Sequence, residues 1–429
     1  MKHQGEEVTR LLAAATAARQ RGDQVEEVRL IDAVLVEAPD NPHALNARGM
    51  VCLATRDLAG AIGFFRRAAE ADPREPALWM NLARAQRETG DDEGERASID
   101  QVLAVDQRHF MARLRKAELH ERLGEHAQAV PAWQAVLSLA TAIDPMPPAL
   151  GEALDRARAF VIKQTDAFAS EIDGGMATAK AALPEGATRR FDACLDHVFG
   201  RRQIYRNECA GVHFPFLPAH EYFDRALFPW FAELEAKTDL IRTELEGVIA
   251  RSRGMRPYVA MDPGTPQNKW SGLDGSLDWG AYFLWEYGVA NEEACALCPN
   301  TVAALEATPF ARIPGRAPTA FFSILKPRTR IPPHTGVTNT RTIIHLPLIV
   351  PDGCGLRVGG ETRQWRLGEA MAFDDTIEHE AWNDSDELRA VLIFDVWNPF
   401  LTEAERDLLC RYFELADKSG HNPAMGQGL

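Results

Sequence analysis

The chain has 429 residues, 46% of them apolar and a quarter charged, enough for two or three domains with substantial cores. Its net charge of −15 excludes non-specific binding to nucleic acid or to an anionic membrane, since both need basic patches. The first residues hold no apolar leader core and no apolar run nears membrane-spanning length, so no membrane span and a cytoplasmic location are expected.

Before Leu139 the sequence repeats itself. Candidate repeat starts fall near Val8, Pro42, Pro76 and Phe110, each 34 residues after the last. Gly49, Ala83 and Ala117 take the close-contact position of a first helix, and Gly22, Gly90 and Gly124 fall at the turn between helices. Phe65, Ile99 and Trp133 recur as the large residue of the second helix, and Pro39 and Pro73 close their repeats. Small residues let two helices approach while large ones fill the gap to the next pair. The pattern resembles the tetratricopeptide repeat, which implies an all-α solenoid over residues 1–145 with a concave groove for a peptide or protein. A scaffold that only stabilises or dimerises the rest of the chain explains the repeats equally well. Pro145, Pro147 and Pro148 break the period, and Glu152 to Leu183 reads as a helical cap, so residues 146–190 form a linker.

From residue 191 to 429 the pattern changes to short β-branched and aromatic runs between Pro- and Gly-rich loops. Helices are expected between Tyr222 and Ser252. Strands are expected at Thr319–Leu325, Arg341–Val350, Leu356–Val358, Thr362–Trp365, Glu369–Phe373 and Arg389–Trp397. Many short strands with frequent turns indicate a sandwich or jelly roll. The seven cysteines are odd in number and scattered, as free thiols are in a reducing compartment. The lone Cys295-Ala-Leu-Cys298 has no second pair to complete a zinc site.

Two histidines stand out. His334 follows the first apolar run in Pro-Pro-His-Thr-Gly, and His379 precedes the last one in Asp-Asp-Thr-Ile-Glu-His. Paired imidazoles on well-separated strand ends suit a first-row metal, and two His with one carboxylate mark the non-haem iron oxygenases. Here the position two residues after the first His is Gly336, so the acid is missing. The stretch from His334 to Pro399 resembles the aspartyl/asparaginyl β-hydroxylase family, which binds iron with two His and no carboxylate. The resemblance extends upstream through Phe214–Pro218, Leu227–Trp230 and Trp279–Cys298.

That resemblance implies a multidomain chain: the solenoid, then a double-stranded β-helix (jelly-roll, cupin-like) catalytic domain with flanking helices. It implies Fe(II) held by His334 and His379, with 2-oxoglutarate and O2 as co-substrates. Arg389 matches the residue that holds the distal carboxylate of 2-oxoglutarate, Ser323 its hydroxyl partner, and His345 a His beside the 1-carboxylate. Arg341 is the candidate for a substrate carboxylate, with Trp279 and Tyr282 as apolar anchors on a rim over residues 270–285. Asp395 is the alternative partner of Arg389 if that arginine is structural. Two departures stand: Ile343 where many members have Arg, and Asn398 in the family's Trp-His-Pro. Asp374 and Asp375 are expected to be kept from the metal by their loop, water taking the place opposite Gly336, and to orient that loop or accept from a ligating His.

The implied reaction is hydroxylation of an Asp or Asn β-carbon in a peptide or protein bound through the repeats. Hydroxylation of a free amino acid, a natural-product intermediate or a lipid head group is the first alternative. A non-catalytic adaptor with a vestigial barrel is the second.

Overall fold

A computed structural model describes residues 2–184, 186–251 and 254–419. The chain divides into two compact units, Met1–Arg189 and Arg190–Leu429.

The first unit is helical throughout. Four antiparallel pairs run α1 (Lys2–Gln20) with α2 (Gln24–Glu37), α3 (Pro42–Ala54) with α4 (Leu58–Ala71), α5 (Pro76–Thr89) with α6 (Asp92–Val105), and α7 (Phe110–Arg122) with α8 (His126–Ala140). The long α9 (Pro148–Ala181) follows and packs on α8. Repeat starts at Pro42, Pro76 and Phe110 are helix starts, whereas α1 begins ahead of Val8. The turn within each pair is built the same way: a left-handed residue, then an acidic residue before the second helix. Gly22, Gly90 and Gly124 supply the positive φ, and Arg56 adopts it at φ 63° in the second repeat. Asp23, Asp57 and Asp91 each accept from a backbone N–H of the helix they open, so the cap recurs with the repeat. Phe65, Ile99 and Trp133 are buried, as is Ile31 in the equivalent place. A Cβ on Gly49 would come within 2.6 Å of the Phe65 ring, which is why a helix interior tolerates glycine there.

The second unit is β-rich. After α10 (Arg189–Val198), α11 (Phe231–Glu235) and α12 (Thr238–Arg251) come β1 (Arg256–Pro257), β2 (Trp279–Glu286) and β3 (Val289–Ala290). Ser252 lies outside the described residues. Next are α13 (Glu292–Leu297), α14 (Pro299–Glu306), β4 (Ala320–Leu325), β5 (Thr329–His334) and β6 (Arg341–Ile349). The chain continues through β7 (Cys354–Val358), β8 (Glu361–Arg363), β9 (Met371–Phe373), β10 (His379–Asn383) and β11 (Arg389–Trp397) to α15 (Glu403–Lys418). Every strand pair is antiparallel. One sheet runs β1-β2-β4-β11-β6-β9 with β3 on β2, and the other runs β5-β10-β7-β8.

Strand alternation divides the core in two. On β11, Leu392, Phe394 and Val396 pack with Ile344, Leu346 and Leu348 of β6 against Ile241, Leu245 and Leu305 of the helices. The opposite residue of β11, Val391, joins Trp279, Leu325, Ile331, Leu356 and Phe373 between the sheets. With both faces buried, these strands read as continuous apolar runs.

Five strands were not expected from the sequence: the two-residue β1 and β3, and the longer β2, β5 and β10. β5 contains Pro332-Pro333, which is tolerated because β5 is the edge of its sheet. β10 is short, and β2 is buried along most of its length and shows no alternation. The expected rim over residues 270–285 is therefore half central strand. Tyr282 is buried on the helix side rather than exposed as an anchor. Among the described residues no helix is long and apolar enough to cross a membrane. All seven cysteines are free, and burial pushes the Cys298 thiol up to about 12.

Candidate active site

The unexpected strands carry the two histidines. His334 ends β5, His379 begins β10, and the two are register partners in the smaller sheet, so they are neighbours rather than residues on distant strand ends. Their ring centroids lie 4.0 Å apart. Each Nδ1 faces a backbone carbonyl two residues earlier, His334 to Pro332 at 2.8 Å and His379 to Ile377 at 3.0 Å. A carbonyl only accepts, so each Nδ1 carries the proton and each Nε2 keeps its lone pair. Burial holds His334 down to about 4 and His379 well below the usual imidazole range, with His334 adding to the effect on His379. Both rings are thus neutral at pH 7 and fixed in the tautomer that ligates through Nε2.

Across the cavity the larger sheet contributes Arg389, Ser323 and His345. Arg389 is 1% exposed, yet no carboxylate touches it. Its Nη1 donates to Ser323 Oγ at 3.2 Å, its guanidinium lies 4.1 Å above the Trp365 ring, and its Nε–H has no partner. Burial alone drives its pKa down to about 9. Ser323 Oγ also accepts from Trp279 Nε1 at 3.1 Å, so both donors point at the hydroxyl and its own proton is free to be donated onward. His345 is buried, its Nδ1 has no partner, and burial and then Arg389 hold it well below the usual range.

Arg341 bonds to Asp395, the carboxylate that the sequence offered to Arg389. Trp279 is buried, lines the cavity and stacks on Tyr258 at 4.0 Å while its Nε1–H bonds Ser323. Nothing in the sequence pairs Tyr258 with Trp279 across twenty residues.

The aspartates part ways. Asp374 accepts from Thr376 N–H at 3.0 Å, Thr376 Oγ1 at 2.6 Å and Asn207 Nδ2 at 2.6 Å, and so orders the loop. Asp375 packs against Gly336 and lines the same cavity. Gly336 N–H donates to the Asp375 carbonyl at 2.6 Å, and a Cβ on Gly336 would overlap the Asp375 carboxylate. The place where a side chain on residue 336 would begin is filled by an acid from residue 375. Burial raises that acid to about 7. Neither aspartate accepts from the Nδ1 of His334 or His379, which use backbone carbonyls instead. Among the described residues no group of three or more His, Cys, Asp or Glu is gathered as a metal site.

One cavity of about 520 Å³ is lined by His334, His379, His345, Arg389, Ser323, Arg341 and Trp279 together. Residues 235–399 match the family described as Aspartyl/Asparaginyl beta-hydroxylase, and residues 12–76, 65–104 and 96–142 match Tetratricopeptide repeat. Part of the C-terminal unit is thus similar to the aspartyl/asparaginyl β-hydroxylases. Over 175 residues the chain is 44% identical to Aspartyl/asparaginyl beta-hydroxylase of Mus musculus, covering 40% of this chain and 22% of that protein. Over 187 residues it is 37% identical to Ornithine lipid ester-linked acyl 2-hydroxylase of Rhizobium tropici, covering 42% of this chain and 62% of that protein. The chain thus spans less than two thirds of either relative's length. The family match begins after the loop of residues 199–222, so the Asn207 contact to Asp374 comes from outside it.

Proposed function

We propose that the two sheets form a double-stranded β-helix dioxygenase that uses Fe(II) and 2-oxoglutarate to hydroxylate an unactivated carbon. The observation that carries this reading is Arg389, a buried guanidinium with no carboxylate beside it, in the same cavity as two neutral imidazoles. A buried cation without a counter-charge is costly, and a dicarboxylate supplies the missing partner. Guanidinium and carboxylate match in shape, and Ser323 adds a hydroxyl proton.

The donor set fits the group. His334 and His379 would hold the metal through Nε2, and Arg389 with Ser323 would hold the distal carboxylate of 2-oxoglutarate. Bound iron and 2-oxoglutarate supply the oxidising power, with one atom of O2 entering a substrate C–H bond as hydroxyl and the other entering succinate as CO2 leaves. The protein's own work is positioning. Trp279 keeps Ser323 turned as a donor toward the co-substrate, Trp365 backs the guanidinium, and Phe373 and Ile331 wall the cavity from water. His345 offers an unpartnered ring nitrogen where Ile343 leaves the co-substrate without a second arginine.

The substrate suggested by the family is an Asp or Asn side chain in a protein presented by the repeats. The relative named for an ester-linked acyl chain supports a lipid as the second reading. The test is succinate release from 2-oxoglutarate by purified protein, abolished by chelation and restored by Fe(II). Equal release from metal-free protein refutes the proposal.

A further inference from the structure

We propose that Trp270, Trp279 and Tyr258 form an electron relay that drains the site when O2 has been activated there with no substrate to oxidise. This rests on the dioxygenase reading above and gives these rings a protective function that hydroxylation itself does not use.

The rings form a connected series that starts at a proposed metal ligand. Trp270 meets the His334 imidazole edge-on, with centroids 5.1 Å apart at 70°, and lies 6.1 Å from Trp279. Trp279 is itself 6.5 Å from His334, and Tyr258 stacks on Trp279 at 4.0 Å and 19°. Such separations are those of packed aromatic pairs, between which an electron tunnels readily. Both tryptophans are buried, whereas Tyr258 is half-buried and lines the cavity.

Ring chemistry gives the series a direction. Indole and phenol lose an electron far more easily than benzene or neutral imidazole. On the other side of the site His379 meets Phe373 at 5.3 Å, which does not carry the charge. Trp365 is oxidisable, but the buried Arg389 guanidinium lies 4.1 Å over its ring and opposes removal of an electron. Lys269 stands 5.3 Å over Trp270, yet it is exposed and solvent screens its charge. Beyond Tyr258 come Phe321 at 5.2 Å and Phe283 at 6.2 Å, so the relay ends on the phenol.

The balance closes with one external partner. Without a substrate, 2-oxoglutarate and O2 yield succinate, CO2 and two oxidising equivalents that no C–H bond consumes. Each equivalent takes one electron through Trp270 and Trp279 from Tyr258, whose phenol proton leaves to solvent in the cavity. A one-electron reductant of the ascorbate class then returns an electron, and the phenol regains a proton. Two such electrons, with two protons, convert the unspent oxygen atom to water.

The experiment mixes full-length protein with Fe(II), 2-oxoglutarate and O2 but no substrate, freezes samples in time, and records electron paramagnetic resonance beside succinate. The expected signal is a tyrosyl radical that ascorbate removes. In Tyr258→Phe it should be lost and replaced by an indole radical, with oxygen added to Trp270 or Trp279 in peptide mass spectra. Trp270→Phe should release succinate at the wild-type initial rate but inactivate sooner. Ring-deuterated tyrosine in the wild-type chain, which narrows a tyrosyl signal, identifies the radical if either variant fails to fold. Succinate formation without a ring radical, or a radical unchanged in folded Tyr258→Phe, overturns the relay and leaves the dioxygenase reading intact. Absence of succinate overturns that reading and the relay with it.

Discussion

Arg389→Met separates a co-substrate anchor from a structural arginine. In the folded chain burial pushes this guanidinium down to about 9, and no internal carboxylate offsets it. At about 1.4 kcal/mol per pH unit the charged form carries a native-state penalty of about 5 kcal/mol. An arginine stays charged in the folded and the unfolded chain across the ordinary pH range. At neutral pH the penalty therefore acts in full. Methionine keeps much of the volume over Trp365 and removes the charge. After packing losses the ligand-free variant should gain about 1–3 kcal/mol, by comparison with other buried charges replaced by apolar residues. For a unit of this size that raises Tm by ~2–10 °C. Affinity for 2-oxoglutarate should fall by about 2–5 kcal/mol, the cost of truncating one partner of a buried charge pair. That is a rise in KM of roughly 30- to 5,000-fold, with iron binding nearly intact. Thermal melts with and without 2-oxoglutarate, beside a metal titration, measure all three. A variant that melts lower without ligand and keeps the wild-type ligand-induced shift would refute the reasoning and make Arg389 structural.

Residues 190–429 alone should retain 2-oxoglutarate turnover while modification of a macromolecular substrate drops, because the repeats contribute a groove and no ligand. Full-length rates on a protein target would remove the repeats from recognition. Arg56→Gly should stabilise the helical unit by about 1 kcal/mol, since a non-glycine residue at φ 63° costs about that much, and calorimetry of residues 1–189 reads it. Asp375→Asn should weaken iron binding within the ~10–100-fold of residues that support a ligand without being one, and a larger loss would make Asp375 the third ligand. Asp374→Asn should instead lower stability by about 1–3 kcal/mol with little change in metal affinity, because its three bonds hold the loop.

The helical repeats were legible because their signal is local and repeated. The period of 34 places the small residue, the large residue and the turn glycine again and again, and each is fixed by contacts within one pair or to the next. Arg56 escaped notice because the turn needs a left-handed residue while the sequence shows none of the residues that adopt it easily. Strands β4, β6 and β11 were legible as apolar runs. β2 was not, since burial on both faces erases alternation, and β5 was hidden by two prolines that only an edge position tolerates.

The site was legible residue by residue but not in its pairings. The strand faces put Arg341, His345 and Arg389 inside, yet which carboxylate meets which arginine depends on register between β6 and β11. There Trp397 stands opposite Arg341 and Asp395 opposite Ile343, so Asp395 reaches Arg341 diagonally while Arg389 lies at the far end of its strand. The missing acid is the deeper case. Read along the chain, glycine at 336 is a deletion of a carboxylate. In the fold it is a vacancy of side chain that admits the carboxylate of residue 375, locked by the Gly336 N–H to the Asp375 carbonyl. An alanine at 336 would collide with that acid, so the glycine and the aspartate are one feature divided between two loops. Each loop carries one of the paired histidines, and the contact between the loops fixes the distance between the two imidazoles as much as the strand pairing does.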